Sequence, residues 1–107
     1  IGFPTANLNI NQDYKLIPKN GVYLIRTILE GKKVYGMMNI GVKPTLKSKD
    51  TSIEVNLFEW GGDLYGKVIE VFILYYIREE KKFDSLIKLG NQIKLDKKTC
   101  IKLIKEK

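Results

Sequence analysis

The sequence predicts an α+β domain, mainly β, in which an antiparallel sheet closes into a barrel and a C-terminal helix follows. Two observations lead to this prediction. Segments rich in β-branched and aromatic residues, separated by short turns, occupy most of the chain as far as Arg78. Helical periodicity begins only after Phe83. The short hairpins favour a closed barrel over an open sheet, because closure leaves no exposed edge strand.

Four strands account for the β part of the prediction. Gly21–Leu29 and Val34–Val42 form a hairpin around a turn at Glu30–Lys33. A third strand runs from Thr51 to Trp60. The fourth, Val68 to Arg78, is too continuously apolar for either of its faces to be fully solvated.

The C-terminal part predicts two helical stretches. Asp84 or Ser85 is a suitable N-cap for a helix that ends near Leu95, and Asp96 would cap a second stretch. The residues expected on the apolar side are Leu86, Ile87, Leu89 and Ile93 in the first stretch, and Cys100, Ile101, Leu103 and Ile104 in the second.

Composition limits the class of protein. A chain of 107 residues and 12.3 kDa, 44% of them hydrophobic, is expected to form one domain with its own core. No apolar run approaches the roughly 20 residues that span a bilayer, and the N-terminus lacks a signal-peptide pattern, so we expect a cytoplasmic protein. Cys100 is the single cysteine and there is no histidine, which leaves no disulfide and no zinc or redox cluster.

The net charge of +7 raises a second class of function. A small basic barrel binds RNA or single-stranded DNA through lysines and stacked aromatic rings, and the chain has six tyrosines to offer. The lysines, however, are scattered or concentrated in the final helix, where exposed lysines are usually only solvated. A binding module would gather aromatic rings and lysines on one face, and that placement is the feature that separates the two classes.

The opening segment, residues 2–7, is the first candidate site. Pro4 restricts the backbone there, so the segment is stiff and extended. Thr5 and Asn7 lie two positions apart, which in an extended chain puts their neutral oxygens on one face, where a hard cation such as Mg²⁺ can be held together with substrate phosphates. The alternative is that Thr5 and Asn7 only hydrogen-bond a turn.

The second candidate is Glu54. Strict alternation in the third strand puts Ile53 and Val55 on one face and Glu54 and Asn56 on the other. Because the chain has no histidine, a general base at neutral pH must be a carboxylate, a lysine or water. Glu54 is then either an available base or an ordinary outward glutamate of an amphipathic strand.

Several motifs together resemble the riboflavin kinase domain, which in bacteria usually forms the C-terminal part of a bifunctional riboflavin kinase and FAD synthetase. The motifs are GFPTANL at 2–8, GVY at 21–23, NIGVKPT at 39–45, SIEVNLF at 52–58, DLYGK at 63–67 and IREEKKFDSL at 77–86. Each motif alone is weak evidence, but the combination is specific and covers nearly the whole chain.

The resemblance implies a Greek-key antiparallel barrel that transfers the γ-phosphoryl group of ATP to the ribityl 5′-hydroxyl of riboflavin, giving FMN and ADP. Glu54 resembles the base on that hydroxyl. Thr5 and Asn7 resemble the ligands of the nucleotide-bound Mg²⁺, or another divalent cation, and Gly2 and Pro4 belong to the same nucleotide-binding motif. Arg78 and Phe83 resemble the segment beside the flavin. This chemistry agrees with the residues, because phosphoryl transfer asks mainly for positioning and charge neutralisation.

Two departures from the family pattern bear on these expectations. Asn56 stands where members often carry histidine. The family also has a preceding strand and a glycine-rich basic turn, so residues 1–107 are expected to be a riboflavin kinase domain without those two parts. The resemblance suggests that, in the parent protein, this domain is fused to an N-terminal FAD synthetase (adenylyltransferase) domain. This chain alone is not expected to make FAD.

Overall fold

The computed structural model describes residues 5–7, 18–44, 49–61 and 69–106. In chain order its elements are β1 (Thr5–Asn7), β2 (Gly21–Leu29), β3 (Lys32–Pro44), β4 (Lys49–Leu57), β5 (Phe72–Arg78) and the helix α1 (Leu86–Lys105). The strands form one antiparallel sheet in the order β1-β4-β3-β2-β5.

The predicted class, an antiparallel sheet with a C-terminal helix, is confirmed, whereas the closed barrel is not. Strands β1 and β5 are the two ends of the sheet, and within the described ranges no pairing joins them. In the same part of the chain, no helix combines the length and the apolar character needed to cross a membrane.

The predicted hairpin is present and its turn is tighter than expected. Only Glu30 and Gly31 lie between β2 and β3, and both have positive φ, at 51° and 76°. Two successive residues with positive φ match the right-handed twist of the flanking strands, and Gly31 adopts this conformation without steric cost.

Several strand boundaries differ from the prediction, and β3 and β4 both extend beyond their expected ends towards each other. Strand β4 ends at Leu57 instead of Trp60, because Glu59 takes a φ of 56°, which an extended strand cannot contain. Strand β5 begins at Phe72, and residues 69–71 precede it without strand pairing. Val68, the predicted start, lies outside the described residues.

The sheet has an apolar cluster on each face, and alternation along the strands sends successive side chains to the two clusters. One face carries the larger cluster: Tyr23, Ile25, Leu29, Val34, Met38, Ile40, Ile53, Val55 and Leu57. The cluster on the other face contains Val22, Leu24, Met37, Phe58 and Cys100, and α1 packs there through Ile93, Leu103 and Ile104. The helix covers only part of this second face, which leaves room for a site beside it.

The helical prediction needs one correction at Asp96. Ser85 is the N-cap, since its Oγ accepts a hydrogen bond of 3.1 Å from the Lys88 backbone N–H, but α1 then continues unbroken to Lys105. Asp96 caps nothing. It is buried in the middle of the helix, where its carboxylate pairs with Arg78, and that pairing is what makes a mid-helix aspartate tolerable.

A second correction concerns the predicted apolar side of α1. Leu86 and Ile87 are 80% and 77% exposed, whereas Cys100 is fully buried as expected. Periodicity shows which residues of a helix share a face, but it does not show where along the helix the neighbouring surface begins. Among the described residues, the packing of α1 starts at Leu89 and Ile93.

Thr27 offers a stability test of the core. Its side chain is fully buried, and its Oγ1 has no hydrogen-bond partner among the residues described. We expect Thr27→Val to raise the free energy of unfolding by about 1 kcal/mol, because the variant removes a buried, unsatisfied hydroxyl. Urea denaturation measures the change, with the exposed Thr51→Val as the matched control. A destabilised Thr27→Val protein would show that the hydroxyl is satisfied in solution.

Candidate functional site

Strand pairing brings the two candidate motifs side by side. Asn7 on β1 pairs with Glu54 on β4, and Glu54 pairs in turn with Asn39 on β3. The row continues through Val22 on β2 to Arg78 on β5. Every strand of the described sheet therefore contributes one residue to a single line across the sheet.

A second row lies two residues away along each of four strands. Thr5 pairs with Asn56, Asn56 with Met37, and Met37 with Leu24. Residues two apart on a strand belong to the same face, so both rows lie on the face that carries α1. This face changes from polar positions on β1 and β4 to buried apolar side chains on β2, under the helix.

A cavity of about 330 Å³ occupies the border between the two halves of this face. Its walls come from the sheet, from the segment after β5 and from α1: Val22, Met37, Asn39, Glu54, Asn56, Arg78, Lys81, Phe83, Leu89, Ile93 and Asp96. The structure thus brings Glu54, Arg78 and Phe83 together around one space. Thr5 and Asn7 are placed by the backbone register beside β4, while Gly2 and Pro4 lie outside the described residues.

Glu54 is the carboxylate on the sheet side of this cavity. It is exposed, whereas its neighbours Ile53 and Val55 are buried in the opposite face. Asn39 is its direct partner on β3, and Asn56 follows it on the same face. A carboxylate among amides can accept a proton from a bound hydroxyl while the amides donate or accept hydrogen bonds around it.

Arg78 and Asp96 form the other end of the cavity. Arg78 Nη2 lies 2.8 Å from Asp96 Oδ2, and Arg78 Nε donates hydrogen bonds of 3.0 Å to both carboxylate oxygens. The Cζ atom of Arg78 lies 5.9 Å from the centre of the Phe83 ring. This ion pair therefore connects the last residue of β5 to the middle of α1.

Sequence reasoning missed Asp96, Gln92 and Lys81 as residues of the site, whereas Asn39 belongs to the NIGVKPT motif of the resemblance. Only Asp96 carried a usable sequence signal, because it stands on the apolar side of a helical pattern, four residues before Cys100. A charged residue at an inward helical position is rarely buried unless it is paired. Gln92 and Lys81 occupy ordinary polar positions, and only the fold reveals that they lie near the site.

Cys100 reports on the packing of α1 near the site. Burial, and secondarily the negative charge of Asp96, raises the pKa of the Cys100 thiol to about 12. We expect the native protein to react with a thiol reagent at neutral pH far more slowly than the urea-unfolded chain, since the thiolate is the nucleophile. Stability should fall from the ordinary thiol pKa of about 9 towards pH 12, because the unfolded chain ionises first. Equal labelling rates in the native and unfolded states would contradict this packing.

Comparison with known proteins identifies the family. The family model for riboflavin kinase, Flavokinase, matches residues 1–104. The bifunctional riboflavin kinase/FMN adenylyltransferase of Bacillus subtilis (strain 168) is 41% identical over 105 residues, which cover 95% of this chain and 33% of the relative. The RNA-binding riboflavin kinase RibR of the same organism is 46% identical over 98 residues, covering 90% of this chain and 41% of RibR.

A solved structure matches the same region. The crystal structure of a macrolide-efflux protein from Streptococcus pneumoniae superposes with a TM-score of 0.81 at 34% identity, over 92% of this chain and 32% of that one. The chain thus spans about a third of the length of that protein and of the bifunctional B. subtilis relative. With a family model that extends over nearly all of its residues, this chain belongs to the riboflavin kinase family.

Proposed function

We propose that this chain transfers the γ-phosphoryl group of ATP to the 5′-hydroxyl of riboflavin, with Glu54 as the base. The observation that carries the proposal is the strand pairing of Asn7 with Glu54, which brings the two motifs together at the edge of a cavity. Both B. subtilis relatives are named as riboflavin kinases, and this chain is similar to them over 105 and 98 residues.

In the proposed reaction Glu54 accepts the proton of the ribityl hydroxyl. The hydroxyl oxygen at the same time forms a bond to the γ-phosphorus. The bond from the γ-phosphorus to the bridging oxygen breaks, and ADP leaves. Asn39, opposite Glu54 on β3, and Asn56, two residues further along β4, supply hydrogen bonds that orient the hydroxyl. Positioning of this kind, with one group to deprotonate or orient the nucleophile, is most of what phosphoryl transfer requires from a protein.

Thr5 and Asn7 would hold Mg²⁺, or another divalent cation, through neutral oxygens, together with the nucleotide near Gly2 and Pro4. Their donor chemistry fits, because Mg²⁺ is usually bound by few protein oxygens and by substrate phosphates. When bound, the cation would neutralise phosphate charge.

Arg78 and Phe83 are proposed to contact the flavin at the other end of the cavity, below α1. Its volume of about 330 Å³ lies within the range of small-molecule sites, about 300–1,000 Å³. Closure of the sheet into a Greek-key barrel remains part of this proposal, supported by the family. Fusion to an adenylyltransferase domain, as in the bifunctional relatives, and a cytoplasmic location also stay predictions.

Two aromatic rings of β5 bear on the alternative function, oligonucleotide binding. The rings of Phe72 and Tyr76 on β5 are partly exposed, and cations lie over both: Arg26 at 5.1 Å and Lys19 at 4.2 Å. Their partners on β2, Arg26 and Tyr23, lie on opposite faces of the sheet, so the two rings do not form the single stacking surface that an oligonucleotide needs. The relative RibR is named as RNA-binding, although this chain spans 41% of its length.

Isothermal titration separates the two functions. We expect saturable binding of riboflavin in the presence of Mg-ADP, and formation of FMN when Mg-ATP replaces Mg-ADP. The same protein titrated with a single-stranded oligonucleotide serves as the comparison. Tight oligonucleotide binding without riboflavin binding would reject the kinase proposal in favour of the alternative.

A further inference from the structure

The Arg78–Asp96 pair is enclosed in a way that an ordinary surface ion pair is not. The side chains of Arg78 and Asp96 are 16% and 5% exposed, whereas those of the other described ion pair, Lys88 and Asp84, are 66% and 76% exposed. Removing one partner of a buried pair leaves an uncompensated charge, so such a pair is strongly coupled to the local structure.

Further hydrogen bonds fix the orientation of both groups. Gln92 Nε2 donates a bond of 3.0 Å to Asp96 Oδ1, and Arg78 Nη1 donates a bond of 3.0 Å to the Glu79 carbonyl oxygen. Of the five N–H groups of a guanidinium, one each on Nε, Nη1 and Nη2 is therefore engaged. Among the described residues, one N–H on Nη1 and one on Nη2 have no hydrogen-bond acceptor and can reach a ligand, and Phe83 lies beside the group.

Compensation of charge decides which ligand Arg78 suits. The carboxylate of Asp96 lies 2.8 Å from the guanidinium and offsets its positive charge. A compensated arginine attracts a phosphate less than a free one does, but it keeps its planar surface and its remaining N–H donors. Those features suit an uncharged, flat ligand that carries carbonyl oxygens.

We propose that Asp96 is a positioning residue, which holds Arg78 in place for the uncharged ring system of riboflavin and not for a phosphate group. Gln92 supports the same carboxylate from one turn earlier on α1. This inference rests on the proposed function, since it takes riboflavin as the ligand of the cavity.

The test compares flavin affinities in Asp96→Asn protein, measured by quenching of flavin fluorescence without nucleotide. We expect the Kd of riboflavin to rise by roughly 10-fold or more, as when other orienting partners are lost. The Kd of FMN should rise by no larger a factor, because the two ligands share the ring and the variant removes a negative charge that repels the phosphate. A clearly larger loss for FMN would reveal a phosphate contact at Arg78 and overturn the proposal, and so would an unchanged Kd for riboflavin.

Turnover gives a readout that a purely structural role would not produce. In Asp96→Asn protein we expect the KM of riboflavin to rise while kcat at saturation is retained, since the change removes binding and leaves Glu54 in place. Asp84→Asn is the matched control, because it removes the same charge from the exposed pair with Lys88, and it should leave both constants unchanged.

Labelling of Cys100 separates positioning from loss of the fold. The thiol should stay protected in Asp96→Asn protein, which shows that α1 is still packed on the sheet. If that variant exposes Cys100, the milder Gln92→Ala variant decides, with a smaller rise in the riboflavin Kd and a protected thiol as the expected result. Exposure of Cys100 in both variants would make Asp96 a support of the fold and overturn its positioning role.

The proposed function and the role of Asp96 fail in different ways. A wild-type chain that binds riboflavin but forms no FMN contradicts the kinase proposal alone, and the binding comparison still decides the role of Asp96. A wild-type chain that binds no riboflavin contradicts both.

Discussion

Glu54→Gln protein is expected to form FMN with a kcat lower by roughly 10²- to 10⁴-fold, the range typical of a lost general base. The variant keeps the size and hydrogen bonding of the side chain and removes only the negative charge. Glu54 is exposed on a sheet that is held by the buried residues on its other face, so the fold should be unaffected. Riboflavin and Mg-ATP should still bind, and steady-state kinetics with FMN detection measures the rate.

The matched control for this prediction is Glu30→Gln, in the exposed turn between β2 and β3, which should turn over like the wild type. A near wild-type kcat in Glu54→Gln protein would show that Glu54 is not the base and that positioning of the substrates alone accounts for the transfer. A rise confined to KM would make Glu54 a substrate anchor, because such a change reports uniform binding.

Asn7→Ala protein is expected to bind Mg-ADP more weakly by roughly 10-fold or more, since a ligand of the cation is removed. Asn7→Asp keeps an oxygen donor but adds a negative charge. It should therefore retain more of the dependence on the cation than Asn7→Ala does. Titration with Mg-ADP at several Mg²⁺ concentrations measures both effects.

Asn91→Ala, at an exposed position of α1, is the control for this second prediction and should leave nucleotide affinity unchanged. Thermal unfolding of Asn7→Ala protein should stay close to that of the wild type, because single polar substitutions away from the core have small effects on stability. An unchanged Mg-ADP affinity in Asn7→Ala protein would remove the metal role of Asn7.

The local part of the fold could be predicted from the sequence because it depends on local chemistry. Period-two alternation distinguishes Glu54 from Ile53 and Val55, and the burial of the two apolar residues follows. The position of Gly31 similarly identifies the hairpin turn. Such features need only the neighbouring residues, so one sequence is sufficient for them.

Features set by distant contacts were not predictable in the same way. The sequence predicts Asp96 as a helix cap, because a single sequence contains nothing to show that Arg78, 18 residues earlier, reaches it. The exposure of Leu86 depends on how far α1 extends over the sheet. The cavity could not be predicted for the same reason, since its lining comes from four strands, a connecting segment and the helix.

The row of paired residues that crosses the sheet has a consequence for how the molecule folds. Asn7, Asn39, Glu54 and Arg78 are far apart in the chain and become neighbours only when all five strands have paired in register. Contacts of such high sequence separation form late, because the entropy of closing long loops must first be overcome. Riboflavin can therefore bind only the fully paired sheet. Bound riboflavin should slow unfolding and leave the rate of folding unchanged.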